Sequence, residues 1–286
     1  MSRPIRHILL VTHGHPQVAA ETLCRTVQVL NESGVSIVAP PSEWEKHGEI
    51  LRSSASAAVM NGRKDLSEVG LCLVLGGDGT MLRAFRLTQD LGIPVAGVNL
   101  GRVGFLTTVE QASLEEGLQR LLAGDYVEYP LLGLEASLQD KTFRAANDVV
   151  VSKGTNPHAC SIALSINGVT MFEVVCDGVV ASTPAGSSAY SLAAGGPLLG
   201  IAVEAYVISF VAPHAVGVRP VVAAPQDVLE IVNADEDNDA YLDVDGQRLA
   251  RVGPRSCVTI RTSPSMNSLA LLRGDSLYHH FRDRLL

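Results

Sequence analysis

Long apolar runs are missing from this chain. Its most apolar stretch, Ala202 to Val218, is broken by Glu204, Pro213 and His214 and stays below the length of a membrane span. The opening residues, Met1-Ser2-Arg3-Pro4-Ile5-Arg6-His7, lead into a short strand instead of a signal-peptide core. We therefore expect a soluble, cytoplasmic protein with no membrane partner. Positive charge is scarce as well: 22 lysines and arginines face 30 aspartates and glutamates, a net charge of −8. Only Lys46, Lys64, Lys141 and Lys153 are lysines. This balance argues against nucleic acid as a partner, because a polyanion needs basic surface. It also means that a phosphate-rich ligand must be held by local amides, a few arginines and a divalent ion.

Metal and disulfide patterns are absent too. Cys24, Cys72, Cys160, Cys176 and Cys257 are odd in number and lack CxxC spacing, so neither a disulfide framework nor a zinc site follows. His13-Gly14-His15 and His279-His280 have no further ligands at metal spacing. Asp235, Glu236, Asp237 and Asp239 resemble a calcium loop, but Ala240 stands where glycine is needed and Gly246 fills the twelfth position. That run reads as a solvated hairpin turn. No metal ligand is assigned from sequence.

What the chain does have is core: 47% hydrophobic and 18% charged residues over 286 positions, enough for two ordinary domains. Residues 1–122 alternate strand and helix signals. Strands are expected at 8–12, 35–38, 71–75 and 93–98, with an amphipathic helix over Ala20, Leu23, Val27 and Leu30 and another at 113–122. Residues 40–70 are weakly patterned. The alternation predicts a Rossmann-like parallel sheet, with ligands at the carboxyl ends of its strands. Residues 123–274 change to short strands, at 127–138, 143–151, 160–166, 169–176, 206–212, 227–232, 241–244, 257–261 and 269–273, with one helix near 187–195. Asn167-Gly168 between Ile166 and Val169 signals a type I′ hairpin. The fold class is therefore α/β plus all-β, the second domain β-rich and sandwich-like. Residues 278–286 read as a polar, helix-like tail.

The most informative feature is Leu71-Cys72-Leu73-Val74-Leu75 running into Gly76-Gly77-Asp78-Gly79-Thr80 and then a helix. Glycines let a ligand approach the main chain, and amides at the helix start favour anions. A carboxylate in such a nest would repel phosphate unless it attracts a metal ion or takes a proton during phosphoryl transfer; a plain strand-to-helix turn is the bland alternative. One strand later comes Asn99-Leu100-Gly101-Arg102-Val103-Gly104-Phe105-Leu106. There Phe105 suits either a base or a buried anchor. Asn147-Asp148 can hydrogen-bond ribose hydroxyls or simply end a strand. Ser182-Thr183-Pro184-Ala185-Gly186-Ser187-Ser188-Ala189-Tyr190 forms a second strand–loop–helix junction, with Ser187 or Ser188 able to cap the helix. Its hydroxyls, amides and Tyr190 suit a nucleotide's sugar and ring, and Asp245-Gly246 is a further candidate.

Taken in order from Leu71 to about Gln247, these motifs closely resemble the NAD kinase family. The resemblance implies transfer of a phosphoryl group from ATP, or from polyphosphate, to the adenosine-ribose 2′-hydroxyl of NAD, with Mg²⁺ bridging phosphate oxygens. It implies Asp78 as the base, with Gly76, Gly77, Gly79 and Thr80 around the phosphates. Asn147 and Asp148 would hold adenosine ribose or neighbouring groups, and Phe105, Ser187, Ser188, Ala189 and Tyr190 would line the dinucleotide pocket. Asp177 and Asp245 would meet the nicotinamide end; Arg83, Val175, Ala193 and Gln247 complete the expected binding set. It implies further a homodimer or homotetramer, and a tail, 275–286, that packs back on the first domain. Asp148 stands where the family usually has glutamate, and Ala185 where it has threonine or serine. Two rivals are a non-catalytic NAD(P) sensor and a lipid or sugar kinase sharing the glycine loop.

Overall fold

The computed structural model describes residues 5–101, 104–155 and 158–285, apart from the side chains of 264–266, 280 and 283–285. Arg102 and Val103 of the second glycine motif lie outside the described residues. The chain forms two compact units, Met1–Pro130 with Asn267–Leu286, and Leu131–Met266. The sequence placed the division at 122/123 and the return at 275. Strands Tyr126–Leu138 and Cys257–Leu272 instead run through both crossing points.

In the first unit, β1 (His7–Thr12), β2 (Ser36–Ala39), β3 (Ala57–Val59), β4 (Leu71–Leu75) and β5 (Pro94–Asn99) form a parallel sheet in the order β3-β2-β1-β4-β5. Beyond β5 lie β6 (Val109–Glu110) and Ser268–Leu269 of the last strand, both parallel to it. Every residue of β4 is at most 1% exposed, as expected of a central strand covered on both faces. Helix α1 (Pro16–Glu32) buries Ala19, Leu23, Val27 and Leu30, one stripe at helical spacing. Helices α2 (Pro41–Arg52), α3 (Asp78–Thr88) and α4 (Leu114–Leu122) follow. Helix α2 occupies the segment that carries little sequence pattern. The chain ends in a helix, Leu277–Leu285, as the tail's composition indicates.

The second unit is a sandwich. One sheet runs β11 (Val169–Cys176), β10 (Cys160–Ile166), β15 (Leu229–Asn233), β18 (Cys257–Leu272), with β7 (Tyr126–Leu138) and β8 (Lys141–Ala145) continuing it. The other runs β14 (Val221–Ala223), β13 (Tyr206–Val211), β12 (Gly178–Ser182), β9 (Asp148–Ser152), β16 (Ala240–Val244), β17 (Gln247–Val252). Ile162, Leu164 and Val258 of the first sheet share one core with Val149, Val151, Val179 and Ile208 of the second. Asn167 and Gly168 take φ of 51° and 76°, the left-handed pair a type I′ turn needs.

Five local expectations fail. The strand expected at 143–151 is two strands, parted at Ala146-Asn147, where backbone amides leave the ladder to serve Asp245. The strands expected at 257–261 and 269–273 are one, β18. The helix expected near 187–195 is a 3₁₀ turn, Gly186–Ser188, and a single turn of helix, Tyr190–Ala193, interrupted at Ala189. Neither Ser187 nor Ser188 caps it; their hydroxyls donate back to Pro184 and Ala185 carbonyls. The acidic run 235–239 is no hairpin turn but a crossing from β15 to β16 in the other sheet, held by Asp235, whose carboxylate accepts from the Asp237 and Asn238 amides.

Gly97 in β5 shows how tightly α3 is seated: a Cβ there would lie 2.7 Å from Met81 Sδ and 3.2 Å from Thr107 Cα. Gly97→Ala is expected to lower the unfolding free energy by about 1–3 kcal/mol through overpacking, measured by chemical denaturation. An unchanged midpoint would show that Met81 does not pin the helix.

Candidate functional site

In the first unit the glycine loop leaves β4 at the carboxyl edge of the sheet. Gly76 donates to Val98 O, and its missing Cβ leaves room for Thr80, whose Oγ1 would otherwise stand 2.4 Å away. Thr80 therefore folds back beneath the loop, while the Cβ positions of Gly77 and Gly79 meet nothing within 4 Å. Asp78 opens α3. Its two carboxylate oxygens accept from the Phe105 and Leu106 amides, each at 3.0 Å. Gly104 makes this approach possible, since a Cβ there would lie 2.6 Å from Asp78 Oδ1. The two glycine motifs thus meet through one side chain. Phe105 is buried and packs edge-to-face on Phe281 of the C-terminal helix at 5.5 Å, which makes it an anchor of that loop.

Arg83, five residues along α3, donates through Nη1 to Thr12 O and through Nη2 to Glu43 Oε1. Glu43 belongs to α2, is fully buried, and also pairs with Lys46 at 2.7 Å. Sequence reasoning did not find this group. Its available signal was Pro40-Pro41-Ser42 leading into Glu43-Trp44-Glu45-Lys46-His47, a helix start with opposite charges at i and i+3.

The second unit gathers Asn147, Asp148, Ser187 and Asp245. Asp245 and Gly246 form the two-residue turn between β16 and β17, with φ of 46° and 74°. The Asp245 carboxylate accepts from the amides of Ala146, Asn147 and Asp148 at 3.0, 2.7 and 3.2 Å. Gly186 lies on Asn147, where a Cβ would come within 2.2 Å of the Asn147 carbonyl oxygen. Thr183 ties the same segment by donating to Ala146 O. Asn147 Oδ1 is buried and accepts no hydrogen bond from the described residues. Burial, and secondly the negative charge of Asp245, push the Asp148 carboxyl up to about 7.

Nearby, Asp177 pairs with Lys153 at 2.8 Å. The Tyr190 hydroxyl is held above its usual range by partial burial and then by Asp177, Asp243 and Asp148, which places the ring in the field of those carboxylates. Ala189, Tyr190, Ala193, Val175 and Gln247 are exposed. Of these, Val175 lies on β11 of the other sheet, and Gln247 begins β17 directly after the Asp245-Gly246 turn.

Comparison with known proteins adds three findings. Residues 8–126 match the family model for the ATP-NAD kinase N-terminal domain, and residues 146–272 that for the ATP-NAD kinase C-terminal domain. The NAD kinase of Symbiobacterium thermophilum is 31% identical, covering 98% of each chain, and that of Caldanaerobacter subterraneus 32% identical, covering 87% of this chain and 86% of the other. Yeast NADH kinase complexed with NADH superimposes with a TM-score of 0.85 at 19% identity, over 99% of this chain and 88% of that one. An NAD kinase from Archaeoglobus fulgidus in complex with ATP gives 0.73 at 21%, over 98% of each, and both likenesses bear on fold alone.

The Asp148 proton has a measurable consequence. Its carboxyl titrates near 3.8 when the chain is unfolded and near 7 when folded, so between those values the native state alone holds the proton. The resulting stability is full below about pH 4 and is lost as the pH rises through about 7, a change of about 4 kcal/mol at most. In Asp148→Asn that decline is expected to vanish from a pH series of thermal melts. Parallel wild-type and variant curves would contradict the raised value.

Proposed function

The chain belongs to the NAD kinase family, and on that premise we infer that it transfers the terminal phosphoryl group of ATP to the adenosine-ribose 2′-hydroxyl of NAD, yielding NADP and ADP. Neither a dinucleotide sensor nor a lipid or sugar kinase is favoured by relatives that are NAD kinases over the whole length. The observation that carries the chemistry is Asp78, a carboxylate fixed by two amides at the mouth of the glycine loop. A carboxylate is acceptor-only, which suits this group to take a proton or meet a cation as well as amides.

As the ribose oxygen attacks the terminal phosphorus, the bond to the bridging oxygen breaks and the hydroxyl proton passes to Asp78. Little covalent help is needed beyond positioning and charge neutralisation. The amides of Gly77 and Gly79 and the first turn of α3 would face the phosphates, with Gly76 and Thr80 shaping the loop. In the second unit Asn147, Asp148, Ser187, Ser188, Ala189 and Tyr190 would receive the dinucleotide. The Asn147 Oδ1 acceptor supports this, because a ligand N–H or O–H would remove the cost of leaving it unpaired. Asp148 holds its proton up to about pH 7, so it can donate as well as accept near neutrality. Asp245, engaged with three amides, would act by holding that segment; Asp177, Val175, Ala193 and Gln247 remain assigned to dinucleotide binding as a proposal.

Mg²⁺ would arrive with the triphosphate. Among the described residues no group of three His, Cys, Asp or Glu side chains is placed to hold a metal. Mg²⁺ commonly binds through one or two carboxylates together with substrate phosphates and water, and the Asp78 carboxylate at the glycine loop is a group of that type. Polyphosphate as an alternative donor, a cytoplasmic location and a homodimer or homotetramer belong to the same proposal. Strand β11, at one edge of its sheet, exposes Val169, Met171 and Val175, an apolar edge suited to a second copy. Sedimentation is expected to show an oligomer, and a monomer at assay concentration would refute that part.

Purified protein incubated with NAD, Mg²⁺ and ATP should yield NADP⁺, scored by a coupled dehydrogenase. Asp78→Asn should keep the fold and lose turnover by roughly 10²–10⁴-fold, the usual contribution of a general base. Near-normal turnover would refute the base assignment, and tight NAD binding by wild type without product would favour a sensor.

A further inference from the structure

The group around Glu43 is costly to build and lies beside the glycine loop. Glu43 is 0% exposed. Its carboxylate pairs with Lys46 at 2.7 Å and Arg83 at 2.9 Å and accepts from the Thr12 hydroxyl. Having donated its proton to Glu43, Thr12 Oγ1 is left as an acceptor for Lys46 Nζ at 2.9 Å and for His47 Nε2–H at 3.0 Å. Burial, then Lys46, lowers His47 below its ordinary range, so the ring is neutral near pH 7. The group therefore holds two cations and one anion, a net positive charge in a chain of net charge −8.

Stability does not account for it. Burying a carboxylate costs several kcal/mol, and apolar residues of similar volume often serve as well. Position offers a reason. Thr12 pairs with Leu75, and the His13 amide donates to Leu75 O, so the group stands at the carboxyl edge of β1, next to the start of Gly76-Gly77-Asp78. Within it the two cations differ. The Lys46 ammonium is surrounded by Thr12 O, Thr12 Oγ1, His13 O and Glu43, which makes it a brace. The Arg83 guanidinium uses Nη1 and Nη2 for Thr12 and Glu43, and its side chain is 36% exposed. A planar guanidinium carries five N–H donors and matches phosphate geometry, so Arg83 retains capacity for an anion.

We propose that Glu43 is a positioning residue that fixes Arg83 as the cationic contact for the donor's terminal phosphates, with Thr12 and Lys46 locking Glu43 in place. The proposal rests on the NAD kinase reading and concerns the donor alone. It is tested by steady-state kinetics with ATP and NAD varied separately, using Arg83→Gln, Glu43→Gln and the double variant. Arg83→Gln is expected to raise KM for ATP about tenfold while KM for NAD stays within about twofold. Glu43→Gln should raise KM for ATP selectively too, and the double variant should be no worse than Arg83→Gln alone, because both act through one contact. Arg83→Lys should fail to restore the donor KM, since an ammonium lacks the fork. If Glu43→Gln does not fold, Thr12→Val takes its place in the cycle. Additive effects, an unchanged KM for ATP, or equal rises for both substrates would overturn the proposal. A wild-type protein that makes no NADP would overturn the kinase reading and this inference with it; an active wild type with an indifferent Arg83→Gln would overturn this inference alone.

Discussion

One carboxylate holding two backbone amides governs the first unit. Asp78 sits at the start of α3, yet its oxygens are bound to Phe105 and Leu106, residues that follow the next strand. A loop of glycines has little order of its own, because glycine loses the most conformational freedom on folding. The two amides supply that order, and Gly104 admits the side chain where any Cβ would exclude it. Gly97 and Met81 set the helix on the sheet, Phe105 and Phe281 seat the second loop, and the carboxylate joins them. On the proposed reading, chemistry and architecture share this residue, which a base required to hold one orientation can use.

The second unit solves a similar problem with the same type of group. Between β8 and β9 the ladder stops at Ala146-Asn147, and three amides turn to Asp245. In return, Gly186 comes down on the Asn147 carbonyl and Thr183 binds Ala146 O, so the Thr183–Ser188 loop and the Asn147-Asp148 pair are one construction. Buried backbone that leaves a sheet must find partners elsewhere, and a carboxylate that accepts several amides provides them.

Much of this was legible in the residues. The apolar run 71–75, the alternation of strands and helices before it, and the Asn167-Gly168 turn follow local rules, and the structure obeys them. The glycine loop and the Asn147, Ser187 and Asp245 motifs were recognisable as candidates because they set carboxylates, amides and hydroxyls beside glycines at the ends of apolar strands. What escaped was set by distant partners. The break at 146–147 is marked in the residues only by the Asn147-Asp148 pair, and the carboxylate that holds it open lies almost a hundred positions away. The segment 187–195 has helix formers, but Gly186 seated on Asn147 and the non-helical backbone at Ala189 leave room for only one helical turn. Helix α2 shows a weak apolar stripe because two of its three buried residues, Glu43 and His47, are polar groups matched by Thr12, Lys46 and Arg83, and only Leu51 is apolar. Periodicity searches see hydrophobic burial and overlook burial by ion pairing.

The turn at Asp245 links two properties that most proteins adjust independently. Its negative charge helps Asp148 retain a proton, while its oxygens keep the neighbouring main chain in place. A substitution that relieved the repulsion would also untie the backbone, and one that kept the tie would keep the repulsion. Acidity and shape are thus inherited together here, and a lineage that shifts its working pH would have to do so through other neighbours.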